Sequence, residues 1–152
     1  MSFWANETIK CSTPDRTFDL GTRISGLIEA GDVLLLKGGL GAGKTLLTKG
    51  MLSGLGFDVD EVTSPSFTLV NLYKTDKFDV YHIDLWRLDG GQDAAAAVGL
   101  EEILEGERFV AIIEWADRLN SPRIPNRSIS ISIDGDGDDD RLITIYSEQL
   151  PG

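Results

Sequence analysis

Apolar residues recur along this chain with two periods, and most elements follow from them. Val33-Leu34-Leu35-Leu36 is apolar at every position, the pattern of a central parallel strand buried on both faces. Phe109-Val110-Ala111-Ile112-Ile113 is a second such run and ends in Glu114; Val80-Tyr81-His82-Ile83 ends in Asp84. Leu20, Ile24, Leu27 and Ile28 share helical spacing. Thr13-Pro14-Asp15 starts that helix: Thr13 as N-cap, Pro14 at the first helical position and Asp15 against the dipole, with Gly31 just past its end. Leu47, Met51 and Leu55 predict a second helix over 45–55, with Met51 in the core and Gly54 or Gly56 at its end.

Alternation with period two predicts the remaining strands. Segments 69–73 and 78–83 form a hairpin around the polar 74–77. Ile129, Ile131 and Ile133 alternate with serines, and Ile143 and Ile145 alternate with Leu142, Thr144 and Tyr146, a C-terminal hairpin. Its connection, 134–140, is rich in aspartate but lacks the spacing and closing glutamate of a calcium loop, and reads as a solvated acidic turn. A short strand is expected over 7–12, and short helices over 94–98 and 100–104, broken by Gly99. Segments 58–61, 89–93 and 120–126 read as connections.

Composition narrows the classes. The chain has 152 residues, enough for one domain with a real core. A net charge of −11 repels the nucleic-acid backbone, so direct RNA or DNA binding is not expected. The single cysteine, Cys11, has no internal partner, which fits a reducing, cytoplasmic setting. No basic-then-apolar leader and no run of membrane-spanning length stands out.

The chemistry concentrates after the first apolar run. Gly38-Gly39-Leu40-Gly41-Ala42-Gly43-Lys44-Thr45 is G-x-x-x-x-G-K-T, between a strand-like and a helix-like segment. Glycines let the backbone curl without Cβ clashes. The N–H groups of Gly38, Leu40, Gly41, Ala42 and Gly43 then cradle phosphate oxygens at a helix N-terminus. Lys44 reaches the β- and γ-phosphates, and the Thr45 hydroxyl suits Mg²⁺. Asp84 and Glu114 end apolar strands, at the sheet edge where α/β folds bind ligands. Either carboxylate can hold Mg²⁺ or orient an attacking water. The hydroxyl-rich segment 63–68, with Ser64 and Thr68, reads as a γ-phosphate or metal loop or as a plain turn. His82 reads as a packed strand residue rather than a catalyst. Arg87 could meet phosphate or an acid, Trp115 could be core, nucleotide neighbour or partner contact, and 13–17 could touch the base or simply open a helix.

Five segments resemble the TsaE (YjeE) family, small P-loop ATPases of tRNA threonylcarbamoyladenosine synthesis. They are Gly41-Ala42-Gly43-Lys44-Thr45, Ser64-Pro65-Ser66-Phe67-Thr68-Leu69, Tyr81-His82-Ile83-Asp84-Leu85-Trp86-Arg87-Leu88, Gly99-Leu100-Glu101-Glu102 and Ile113-Glu114-Trp115-Ala116-Asp117-Arg118. The resemblance implies an α/β, P-loop NTPase-type three-layer fold with a mostly parallel sheet and additional antiparallel strands. It implies ATP and Mg²⁺ as cofactors, with catalytic Lys44, Asp84 and Glu114 and a metal set of Thr45, Asp84 and Glu114. It further implies nucleotide contacts from Ser64, Thr68 and Trp115, and a partner complex of TsaB and TsaD that carries the tRNA. Gly39 departs from the family's usual aspartate, and Trp86 from its usual tyrosine.

Three other readings stand beside this one on the residues alone. A GTPase-like switch lacks an [NT]-K-x-D segment, a small-molecule kinase lacks an arginine-rich lid, and a non-enzymatic binding module leaves the strand-end acids without work.

Overall fold

The computed structural model describes residues 7–38, 43–61, 70–85, 98–116, 127–135 and 139–148. Seven strands form one sheet: β1 (Glu7–Cys11), β2 (Val33–Gly38), β3 (Val70–Lys74), β4 (Asp79–Asp84), β5 (Phe109–Glu114), β6 (Ser128–Asp134) and β7 (Arg141–Glu148). Their order is β1-β7-β6-β2-β5-β4-β3. The four inner strands β6, β2, β5 and β4 are parallel to their neighbours in that set, while β3, β7 and β1 add on by antiparallel pairing. This is the expected mostly parallel core with antiparallel additions. Every residue of β5 is buried, which explains a run without polar alternation.

Helices α1 (Pro14–Ser25) and α2 (Lys44–Gly54) cover one face. They pack on Leu34, Leu36, Val110, Ile112, Ile129 and Ile131. The short helix α3 (Leu100–Leu104) belongs to the other face, where Leu100 joins Val33, Leu35, Ile83, Ala111 and Ile113. Odd and even positions of β2 and β5 thus serve different cores, as the pleat requires.

The start of α1 follows its sequence: the Thr13 side chain accepts from Arg16 N at 3.2 Å, with Pro14 and Asp15 in the first turn. Its end differs. The helix closes at Gly26, whose N–H reaches the Arg23 and Ile24 carbonyls, so Leu27 and Ile28 lie beyond it. The Ser25 hydroxyl donates to the Thr22 carbonyl at 2.5 Å, and glycine is a poor continuation of a helix. Leu27 and Ile28 still pack on the core from the connection. α2 ends as expected, with Gly56 at φ +91° just past it, a left-handed position that glycine takes without strain.

The hairpins are registered as the alternation requires. β3 pairs with β4 around a turn in which Thr75 and Phe78 bond reciprocally. β6 pairs with β7, and its serine positions are less exposed than the alternation suggests: Ser128 and Ser130 are buried and Ser132 is half-buried. The described ends of the acidic turn, Asp134, Asp139 and Asp140, are exposed, and Asp140 pairs with Lys10 at 3.2 Å. The helix expected over 94–98 lies mostly outside the described residues, as do segments 89–93 and 120–126.

At the N-terminal ends of β2 and β6, Arg127 clamps buried Asp32. Arg127 Nε donates to Asp32 Oδ1 at 2.9 Å, and Nη2 donates to Oδ2 at 2.6 Å and to the Leu27 carbonyl at 3.0 Å. The hydrogen bond to Asp32, against a smaller cost of burial, raises the Arg127 pKa above its ordinary value. Cys11 is a buried free thiol whose pKa burial pushes up, partly offset by a Thr17 hydrogen bond and the Arg16 charge.

Candidate functional site

β2 delivers Gly38 to the C-terminal edge of the sheet, and α2 begins there at Lys44. Gly43, immediately before the helix, has φ +108°, which a side chain would strain. Thr17 of α1 lies close by: a Cβ at Gly43 would stand 3.9 Å from its methyl group. The start of α1 therefore abuts the start of α2.

Lys44 is only 5% exposed. Its ammonium donates to the Gly38 carbonyl at 2.9 Å and stands 4.1 Å from the centre of the Trp115 ring. A carbonyl and an aromatic face offset part of the cost of taking an ammonium out of water. Trp115 has φ +59°, the left-handed region, unusual for a bulky side chain. It follows directly on β5, where that turn of the backbone carries the indole to the lysine.

Thr45 starts the helix face that looks onto the sheet. Its hydroxyl donates to Glu114 Oε1 at 3.2 Å. Glu114 is 2% exposed at the end of β5. Its other oxygen, Oε2, makes a short hydrogen bond with His82 Nε2. In register, Leu36, Glu114 and Asp84 form one row across β2, β5 and β4, and Leu34, Ile112 and His82 form the row below. His82, Asp84, Ile112 and Glu114 therefore share the sheet face that α2 covers.

The structure thus brings together Gly38, Lys44, Thr45, Glu114 and Trp115 by contact, and sets Asp84 beside Glu114 by register. Gly39, Leu40, Gly41, Ala42, Ser64, Thr68, Trp86 and Arg87 lie outside the described residues. His82 is packed, as its strand position suggested, but it is also bonded to the buried acid. Its signal in the sequence was spacing: it stands two residues before Asp84, hence on the same face.

A parallel strand, a left-handed glycine, a Lys-Thr helix start and a buried strand-end acid define a P-loop protein of the three-layer α/β class. Within that class, the family described as "Threonylcarbamoyl adenosine biosynthesis protein TsaE" matches residues 11–143, and the chain belongs to it. A Bacillus subtilis (strain 168) relative named "tRNA threonylcarbamoyladenosine biosynthesis protein TsaE" is 37% identical over 131 residues, covering 86% of this chain and 79% of the relative. A Treponema pallidum (strain Nichols) relative of the same name is 38% identical over 125 residues, covering 82% and 89%. The crystal structure of Bacillus subtilis YdiB superposes with a TM-score of 0.69 at 30% identity, over 95% of this chain and 87% of that one.

Proposed function

We propose that this protein is an Mg²⁺-dependent ATPase of tRNA threonylcarbamoyladenosine synthesis, acting in the cytoplasm with the TsaB–TsaD transferase complex. The observation that carries the reading is the Thr45–Glu114 pair at the head of α2, beside the Lys44 ammonium. Family membership supplies the pathway.

The donor set suits Mg²⁺. Thr45 Oγ1 and Glu114 Oε1 are both hard oxygens, 3.2 Å apart. Among the described residues no three His, Cys, Asp or Glu side chains converge as a metal cage. A set of one hydroxyl and one or two carboxylates is the kind that takes Mg²⁺ together with nucleotide phosphates. When bound, the ion neutralises charge on the transferring phosphoryl group.

The chain's own groups divide the remaining work. The glycine-rich segment 38–43 and the start of α2 would supply N–H groups to the phosphates. Lys44 turns from the Gly38 carbonyl to the terminal phosphates. Thr45 and Glu114 would hold the metal, and Asp84, one strand over, would orient the attacking water. The family resemblance gives Ser64 and Thr68 a contact with the nucleotide, and Trp115 stands beside Lys44. The net charge of −11 supports leaving tRNA to the partner complex. Among the described residues no helix is long and apolar enough to cross a membrane.

The test is ATP hydrolysis with and without purified TsaB–TsaD, with Lys44→Ala as control. Slow turnover alone, changed by the complex and abolished in the variant, is expected. Vigorous turnover by the isolated chain, indifferent to the complex, overturns the reading.

A further inference from the structure

We propose that His82 is a positioning residue for the ATPase site: its buried imidazole holds one oxygen of Glu114 so that the other faces Thr45. The inference rests on Glu114 acting as the metal-site acid. The geometry divides the carboxylate cleanly, with Oε2 on His82 and Oε1 on Thr45 at 3.2 Å. A carboxylate this deeply buried is costly unless its oxygens are met by donors. His82 is 0% exposed, and its Nδ1 finds no hydrogen-bond partner among the described residues.

Of the two neutral tautomers, the one that carries its hydrogen on Nε2 suits this contact. With the hydrogen on Nδ1, a buried N–H would go unmet while two lone pairs faced each other across the contact with Glu114. With the hydrogen on Nε2, the imidazole donates to the carboxylate, and only an acceptor is left over. A buried residue serving packing alone has no reason to be histidine here. Its row neighbours Leu34 and Ile112 are aliphatic, and an aliphatic side chain would avoid the unmet atom. The arrangement is that of a second layer around a metal ligand, fixing which lone pair faces the ion.

Equilibrium binding of a fluorescent ATP analogue, with Mg²⁺ and with EDTA, isolates this role. The ratio of the two affinities reports the metal site, and the EDTA value reports folding and the phosphate cradle. His82→Leu is expected to reduce the Mg²⁺-dependent gain about tenfold, with the EDTA affinity retained. His82→Gln, whose amide reaches the Nε2 position, recovers most of the gain. His82→Asn, too short to reach, does not. Glu114→Gln loses the gain, and adding His82→Leu to it costs nothing more, because the two act as one unit.

A full Mg²⁺-dependent gain in His82→Leu, or losses that add in the double variant, overturns the proposal while Glu114 keeps its role. A full gain in Glu114→Gln overturns the metal-site reading itself. If His82→Leu does not fold, the Asn and Gln variants decide: equal gains in both overturn the proposal.

Discussion

The two edges of the sheet each bury an acid at the end of β2 or its neighbour, and they treat it in opposite ways. At the N-terminal edge, Asp32 takes two hydrogen bonds from Arg127, whose Nη2 also caps the Leu27 carbonyl. Charge meets charge, and the network closes on itself. At the C-terminal edge, Glu114 is met by a hydroxyl and an imidazole, while the cation of the site, Lys44, contacts the Gly38 carbonyl and the Trp115 ring. Burial is similar, but the pairing differs: one edge meets its acid with a guanidinium, the other with a hydroxyl and an imidazole. A bidentate clamp serves stability, whereas an acid with one oxygen on an imidazole and the other on a hydroxyl can turn that second oxygen to an incoming cation.

The largest expected effect lies at the clamp. Arg127→Met leaves Asp32 buried without its partner and should cost about 3–5 kcal/mol of unfolding free energy. Urea unfolding measures it. Nucleotide affinity per folded molecule should not change, since the clamp is at the far edge. A parallel fall in affinity would break the contrast between the edges.

Lys44→Ala should do the reverse. Turnover with the partner complex should fall about 100-fold or more, as when a preorganised charge donor is removed from a transition state. Stability should hold or rise, because an ammonium that is 5% exposed is costly to keep dry. A large loss of unfolding free energy would mean that Lys44 belongs to the framework and not to the site.

That opposition explains what could be read from the chain. The doubly buried runs of β2 and β5, the Thr13 cap and the helix that starts at Lys44 after Gly43 each carry their reason locally, and each was legible. Glu114 was legible as a strand-end acid, but its preference over Asp84 for Thr45 depends on how strands stack across the sheet. His82 is the clearest case: its partner is 32 positions away, and only the β4–β5 register brings the two together. The Arg127–Asp32 clamp is hidden in the sequence for the same reason, its members being 95 positions apart. The end of α1 at Gly26 is not legible from periodicity, because Leu27 and Ile28 pack on the core from outside the helix.

Gly21→Ala tests how the two helices carry the site. A methyl group at Gly21 would press on the Leu47 carbonyl and stand 2.9 Å from Met51 N, backbone that cannot yield as a side chain can. The expected cost is about 1–3 kcal/mol. Unlike the clamp variant, it should also weaken nucleotide binding modestly, because the seam sets where α2 begins. Paired urea and fluorescent-nucleotide titrations would show whether the two losses travel together. A stability loss with affinity intact would place the start of α2 under the control of β2 alone.

The smallest effect sharpens the comparison at its boundary. Thr13 sits at the same edge as the site, since β1 runs in the direction of the inner strands and α1 starts just after it. Its side chain is engaged with Arg16 N at 3.2 Å, a cap that removes one unmet donor from the first turn. Thr13→Ala should therefore cost about 1 kcal/mol. Thr13→Ser, which keeps the cap, should restore it. Nucleotide affinity should be the same in both variants if the residue serves only the helix. An affinity loss in Thr13→Ala that Thr13→Ser does not repair would instead bring the threonine methyl group, and with it the 13–17 segment, against the bound base.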